Sequence, residues 1–164
     1  MVFLPIDLAA ALEEAVHGAI GPLSEITEAG AGEKPAAGQW SKKEELGHLI
    51  DSAANNHVRF VRTALEPDFR GPGYAQDDWV RLHGYQEAPW LELIDFWQRY
   101  NALLARVVRR IPEDRLAALC AVGDSPQITL RFLIEDYVLH MRHHLDHILQ
   151  RETITQYPGA ALGV

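Results

Sequence analysis

The sequence predicts an all-α fold, a four-helix bundle with one long crossover loop. Three observations carry this. Apolar residues recur at spacings of three and four in four long segments. Helix-start and helix-stop signals bracket those segments, and no segment alternates with the period of two that a half-buried strand needs. The 164 residues are 48 % hydrophobic and 23 % charged, values of a globular domain rather than a disordered chain. They read as one domain over 1–164, with a core of about 5–151 and a C-terminal tail over 152–164.

The first helix is expected near 6–28, where Leu8, Leu12, Ala15, Val16 and Ala19 form one apolar stripe. Gly18 and Gly21-Pro22 predict a kink or break within it, because proline removes a donor and crowds the preceding turn. Residues 28–39, with three Gly and one Pro, read as a loop. The second helix is predicted at 41–66. Ser41 and Glu44 have the spacing of a capping box, and Leu46, Leu49, Ile50, Ala53, His57, Phe60 and Ala64 make its stripe. Residues 67–88 form the crossover, rich in Gly and Pro, with Phe69, Tyr74, Trp79 and Tyr85 along it and one helical turn near Gln76–Leu82. Pro89 suits the first position of the third long helix, which runs to Arg110 with Leu91, Ile94, Trp97, Leu104 and Val108 facing inward. A short turn near 112–116 and a loop over 120–128 lead to Thr129, a cap for the last helix at about 130–151. Leu130, Leu133, Ile134, Tyr137, Val138, Met141, Leu145, Ile148 and Leu149 are its apolar positions. From Gln156 the tail reads as frayed or dependent on a partner.

Charge and cysteine content narrow the function. Fifteen basic against twenty-three acidic residues leave a net charge of −8, so nucleic acid is not an expected partner. No stretch approaches eighteen uncharged apolar residues, and the start lacks the basic region of a secretory signal. A cytoplasmic protein without membrane association is therefore expected. Cys120 is the only cysteine, which excludes an internal disulfide framework and Cys-based zinc ribbons. Its neighbours Leu119, Ala121 and Val122 mark it as a buried structural thiol.

The chemistry concentrates in the last helix, where His140, His143, His144 and His147 fall within eight residues. At about 100° per residue and with His140 at zero, His144 lies near 40°, His147 near −20° and His143 near −60°. His140 and His144 thus share one direction at the edge of the core stripe, a spacing that lets two imidazoles hold one metal ion, while His143 turns towards solvent. A third ligand must come from His17, His48, His57 or His83. His17 carries no pattern, His57 falls on the apolar stripe as a core histidine, and His83 sits in the aromatic crossover. His48 lies more than about 90° from the stripe centre, a surface or groove position. Spacing alone leaves the third ligand open.

Two motifs add a resemblance. Trp40-Ser41-Lys42-Lys43-Glu44-Glu45-Leu46-Gly47-His48-Leu49 resembles the Trp-Ser-x-x-Glu-x-x-x-His-Leu segment of the DinB/YfiT-like superfamily, and His140-x-x-His143-His144 resembles its C-terminal His-x-x-His-His motif. Asp78-Trp79 and Gly84-Tyr85 within Tyr74 to Pro89 resemble the YfiT branch, so the likeness covers roughly 5–150. The resemblance implies a four-helix bundle, commonly a homodimer, that binds a divalent metal, often zinc or nickel, through three histidines. Carried over, the ligands are His48, His140 and His144. His143 matches a non-ligand position, and His147 stands where many relatives have Gln, a place beside the ligands rather than among them. Members are commonly labelled metal-dependent hydrolases, and some resemble thiol S-transferases that use bacillithiol, mycothiol or glutathione.

Three imidazoles leave a coordination position open, which is the catalytic form of such a site. An open position can activate water for hydrolysis or a low-molecular-weight thiol for transfer to a small-molecule substrate. A non-catalytic, metal-binding or dimerising module is the other reading. Glu45, Asp136 and His147 are the candidate proton carriers by helix spacing. Asp136, four residues before His140, can also orient an imidazole. Tyr74, Trp79, Tyr85 and Trp90 either wall a pocket or anchor the crossover.

Overall fold

The computed structural model describes residues 4–157; positions 158–164 of the tail lie outside the described residues. Helix α1 (Pro5–Ser24) opens on a proline, whose fixed φ suits a first turn. The expected break does not occur: α1 passes through Gly18 and Gly21 and carries Pro22 in its last turn. A proline so near the end forfeits little, and the fully buried Leu23 beside it holds that turn on the core. The helix stops at Ser24 rather than at 28. A second short helix, α2 (Glu28–Gly32), stands where the glycines suggested a loop, started by the Thr27 hydroxyl, which accepts from the Gly30 amide at 3.1 Å.

Helix α3 (Lys42–Leu65) starts as its sequence indicates. The Ser41 hydroxyl accepts from the Glu44 amide at 3.2 Å and the Glu44 carboxylate accepts from the Ser41 amide at 2.8 Å. Its residues Leu46 to Ala53 are buried without interruption, because other elements cover it on more than one side. The crossover holds a strand β1 (Phe69–Gly71), a helix α4 (Gln76–His83) and a 3-10 turn over Tyr85–Glu87. Helix α5 (Trp90–Arg110) follows, with Pro89 as its cap residue. Leu91, expected to face inward, is 64 % exposed. Trp90 lies on the same line as Trp97 and Val108 at 100° per residue and takes the inward place instead.

A 3-10 turn over Glu113–Ala117 leads to β2 (Leu119–Val122), β3 (Ile128–Thr129) and α6 (Leu130–Ile148). The region 120–128, expected to be a loop, is thus partly a sheet of order β1-β2-β3. Phe69 pairs with Cys120 and Gly71 with Val122 in parallel, while Cys120 pairs with Ile128 in antiparallel fashion. Cys120 is buried in this sheet, where desolvation pushes its thiol up. Thr129 ends β3 and caps α6, its hydroxyl accepting from the Phe132 amide at 3.1 Å. The sheet therefore ties the exit of α3 to the entrance of α6.

Helices α1 and α3 each pack on both α5 and α6, enclosing a core of Phe60, Trp97, Leu104, Leu133, Tyr137 and Met141. The buried Tyr137 hydroxyl donates to Asn101 Oδ1 at 2.6 Å, which satisfies it, whereas the buried Trp97 indole N–H has no hydrogen-bond partner among the described residues. The tail beyond α6 turns back along the helix as far as Tyr157. Asp146 accepts from the Thr155 amide at 2.8 Å and hydroxyl at 2.6 Å, and from Arg151 at 2.7 Å. No helix among the described residues is long and apolar enough to cross a membrane.

Candidate metal centre

Helices α3 and α6 bring three imidazoles to one point. Each of His48, His140 and His144 offers a nitrogen, and these atoms all lie within 4.8 Å of one another. His48 Nε2 and His140 Nε2 are 3.1 Å apart. A tetrahedral ion with bonds of about 2.0–2.1 Å needs its ligand atoms about 3.3 Å apart, close to the separation of the His48 and His140 nitrogens. His48 is fully buried rather than at the surface or in a groove, because α6 and the crossover close over the side of α3 that its own apolar stripe does not use. Burial, and then the neighbouring His144, pull its pKa down to about 3. The same causes, with His48 and His143 added, hold His140 well below the usual histidine range. Both imidazoles are therefore neutral and carry lone pairs for a ligand role.

The surroundings orient the ligands. Glu45, one turn before His48 on α3, accepts from His144 Nδ1 at 2.9 Å, which fixes the tautomer and leaves Nε2 free to point inward. Glu45 also lies 3.6 Å from His147 Nδ1, on a ring that is 46 % exposed. Trp40 packs on His48 with ring centres 5.0 Å apart. Tyr157 packs on His140 at 5.2 Å and on His143 at 5.0 Å. His143 is not turned out to solvent as the wheel suggested. Its Nδ1 meets the Thr155 carbonyl at 2.7 Å, and the folded-back tail covers it. Asp136 is buried, yet it does not reach His140 Nδ1, which has no partner among the described residues. Burial, and then the Asp136 charge, push the Tyr157 phenol up.

The remaining candidates lie elsewhere. His57 Nδ1 meets the Tyr100 hydroxyl at 3.3 Å, so it is satisfied as its stripe position suggested, but it is half-buried rather than in the core. His17 is exposed on α1. His83 Nδ1 meets Asp51 at 3.0 Å, away from the triad, and Tyr85 donates to the same carboxylate at 2.6 Å. Tyr85 lies flat on Gly47, where an added Cβ would come within 2.1 Å of its ring. Trp90 is a bundle anchor whose indole donates to the Leu23 carbonyl at 2.9 Å. Trp40, Tyr157 and the orienting role of Glu45 were missed in the sequence. Glu45 left a signal there, three residues before His48 on one helix, and Trp40 stood at the head of the same motif without a role assigned to it.

A family model of the DinB superfamily matches residues 11–148, and the chain belongs to that superfamily. Among solved structures it is similar to YfiT from Bacillus subtilis, described as a probable metal-dependent hydrolase with an unusual four-helix bundle topology. That likeness has a TM-score of 0.78 at 21 % identity, over 89 % of this chain and 84 % of that one. It is also similar to a mycothiol-dependent maleylpyruvate isomerase, with a TM-score of 0.69 at 12 % identity over 87 % of this chain. The chain spans 60 % of the length of that protein. No curated protein sequence matches it. At these identities the structural likenesses speak for the fold.

Proposed function

We propose that the protein is a metal-dependent hydrolase in which His48, His140 and His144 hold one divalent cation, zinc or nickel. The observation that carries this is the convergence of three imidazole nitrogens within 4.8 Å, one of them with a carboxylate on its far nitrogen. A cation held there would lend Lewis acidity to a water or a thiol at its open position. Glu45 keeps His144 in the ligating tautomer, and the half-exposed His147 ring stands 3.6 Å from the same carboxylate, one short movement from relaying a proton to solvent. Trp40 packs on His48 and Tyr157 on His140, and the two rings limit water around the triad.

A second reading, transfer of a low-molecular-weight thiol to a small-molecule electrophile, draws on the likeness to a mycothiol-dependent enzyme. It uses the same three histidines. Both readings are tested on purified protein by metal analysis and by turnover of an ester panel and an electrophile panel, each with and without added thiol. Turnover that needs no thiol and disappears on chelation supports the hydrolase. Turnover that needs the thiol moves the assignment to the transferase. Stoichiometric metal without either turnover leaves the non-catalytic module.

A further inference from the structure

Arg59 lies eleven residues beyond His48 on α3, about 16 Å along the axis and about 20° around it. It is 2 % exposed. Its hydrogen bonds among the described residues are long and neutral: Nη2 donates to the Pro72 carbonyl at 3.3 Å and Nη1 to Asn56 Oδ1 at 3.5 Å. The more exposed Arg62, Arg81, Arg99, Arg109 and Arg151 each face a carboxylate within 2.8 Å. Arg115 is held by three carbonyls at 2.8–3.0 Å. Among the described residues Arg59 has neither arrangement, and burial lowers its pKa. A guanidinium taken out of water without an anion is costly, and an anion that reaches it gains from the same low dielectric.

A cavity of about 260 Å³ opens against it. Arg59 and Pro72, whose carbonyl it meets, are among the residues that line it, with Asn55, Val58, Phe69 and Trp79. No acidic residue lines it. Two aromatic side chains and a valine offer an apolar slot, and the guanidinium fork matches a carboxylate in two parallel bonds. We propose that this cavity binds a small aromatic carboxylate, its carboxylate on Arg59 and its ring against Phe69, Val58 and Trp79. The site is separate from the histidine triad and does not depend on the metal reading.

The test is an NMR titration of the full chain with benzoate, and with benzamide as the uncharged counterpart, following the Trp79 indole resonance. Benzoate is expected to shift it saturably and benzamide to leave it in place. Arg59→Met should weaken benzoate binding by about ten- to hundredfold, the range for a lost charge-assisted bond. Val58 is 52 % exposed, so Val58→Trp can fill the cavity from its rim with Arg59 intact, and it should abolish binding. Metal content should stay at the wild-type level in both variants. Equal responses to benzoate and benzamide, or benzoate binding that survives in Val58→Trp, would overturn the proposal. Should Arg59→Met fail to fold, the Val58→Trp result decides.

Discussion

His143 and His144 are neighbours with different duties, and the difference can be measured. His144 offers its inner nitrogen to the triad and its outer one to Glu45, whereas His143 spends Nδ1 on the Thr155 carbonyl. His144→Ala is expected to remove most of the bound metal while the bundle keeps its helicity, since Leu133, Ile134, Met141 and Leu145 carry that face of the core. His143→Ala should keep its metal. Elemental analysis beside circular dichroism checks both, and equal loss from the two variants would refute the ligand set. Glu45→Gln leaves an acceptor but removes the charge, and should lower metal affinity by about 10–100-fold in chelator competition. An unchanged affinity would show that the tautomer of His144 is set by something else.

Capping governs how the elements begin, and it was also the most legible part of the sequence. Ser41 and Glu44 announced α3, and Thr129 announced α6, because a cap is a local bargain between neighbouring residues. Ser41→Ala should cost about 1 kcal/mol in denaturant unfolding. Glu44 adds a pH term. Partial burial pushes its pKa up, but Lys34 and the Ser41 amide pull it further down, so it is lowered on balance. The folded protein thus keeps Glu44 ionised where the unfolded chain takes up a proton. The stabilisation is whole at neutral pH and is lost as pH falls from the ordinary carboxylate range through the lowered value. Glu44→Gln should flatten that acid limb, and a limb as steep as in the wild type would count against it. The sheet was not legible for the opposite reason. Its strands are two to four residues long, and β1 pairs with β2 across some fifty positions, so neither periodicity nor local propensity records them. His48 shows the same divide. The wheel of α3 described its own stripe, but it could not include α6 and the crossover that bury the opposite side.

At the scale of the whole molecule, association is a proposal that rests on the family resemblance. We expect a two-fold homodimer, and light scattering that reports a monomer at micromolar concentration would refute it. The distance along the chain between the proposed ligands has a consequence for time rather than for geometry. His48 and His140 are 92 residues apart, and they meet only after α3 and α6 have docked. A cation therefore finds at most the His140 and His144 pair of one helix early in folding, and the full triad only late. It is held in full only by the finished protein, so it should slow unfolding and leave the refolding rate nearly unchanged. Stopped-flow refolding with and without the metal, compared with unfolding in denaturant, measures both limbs. A metal-accelerated refolding limb would mean that the two helices meet before the rest of the bundle has formed.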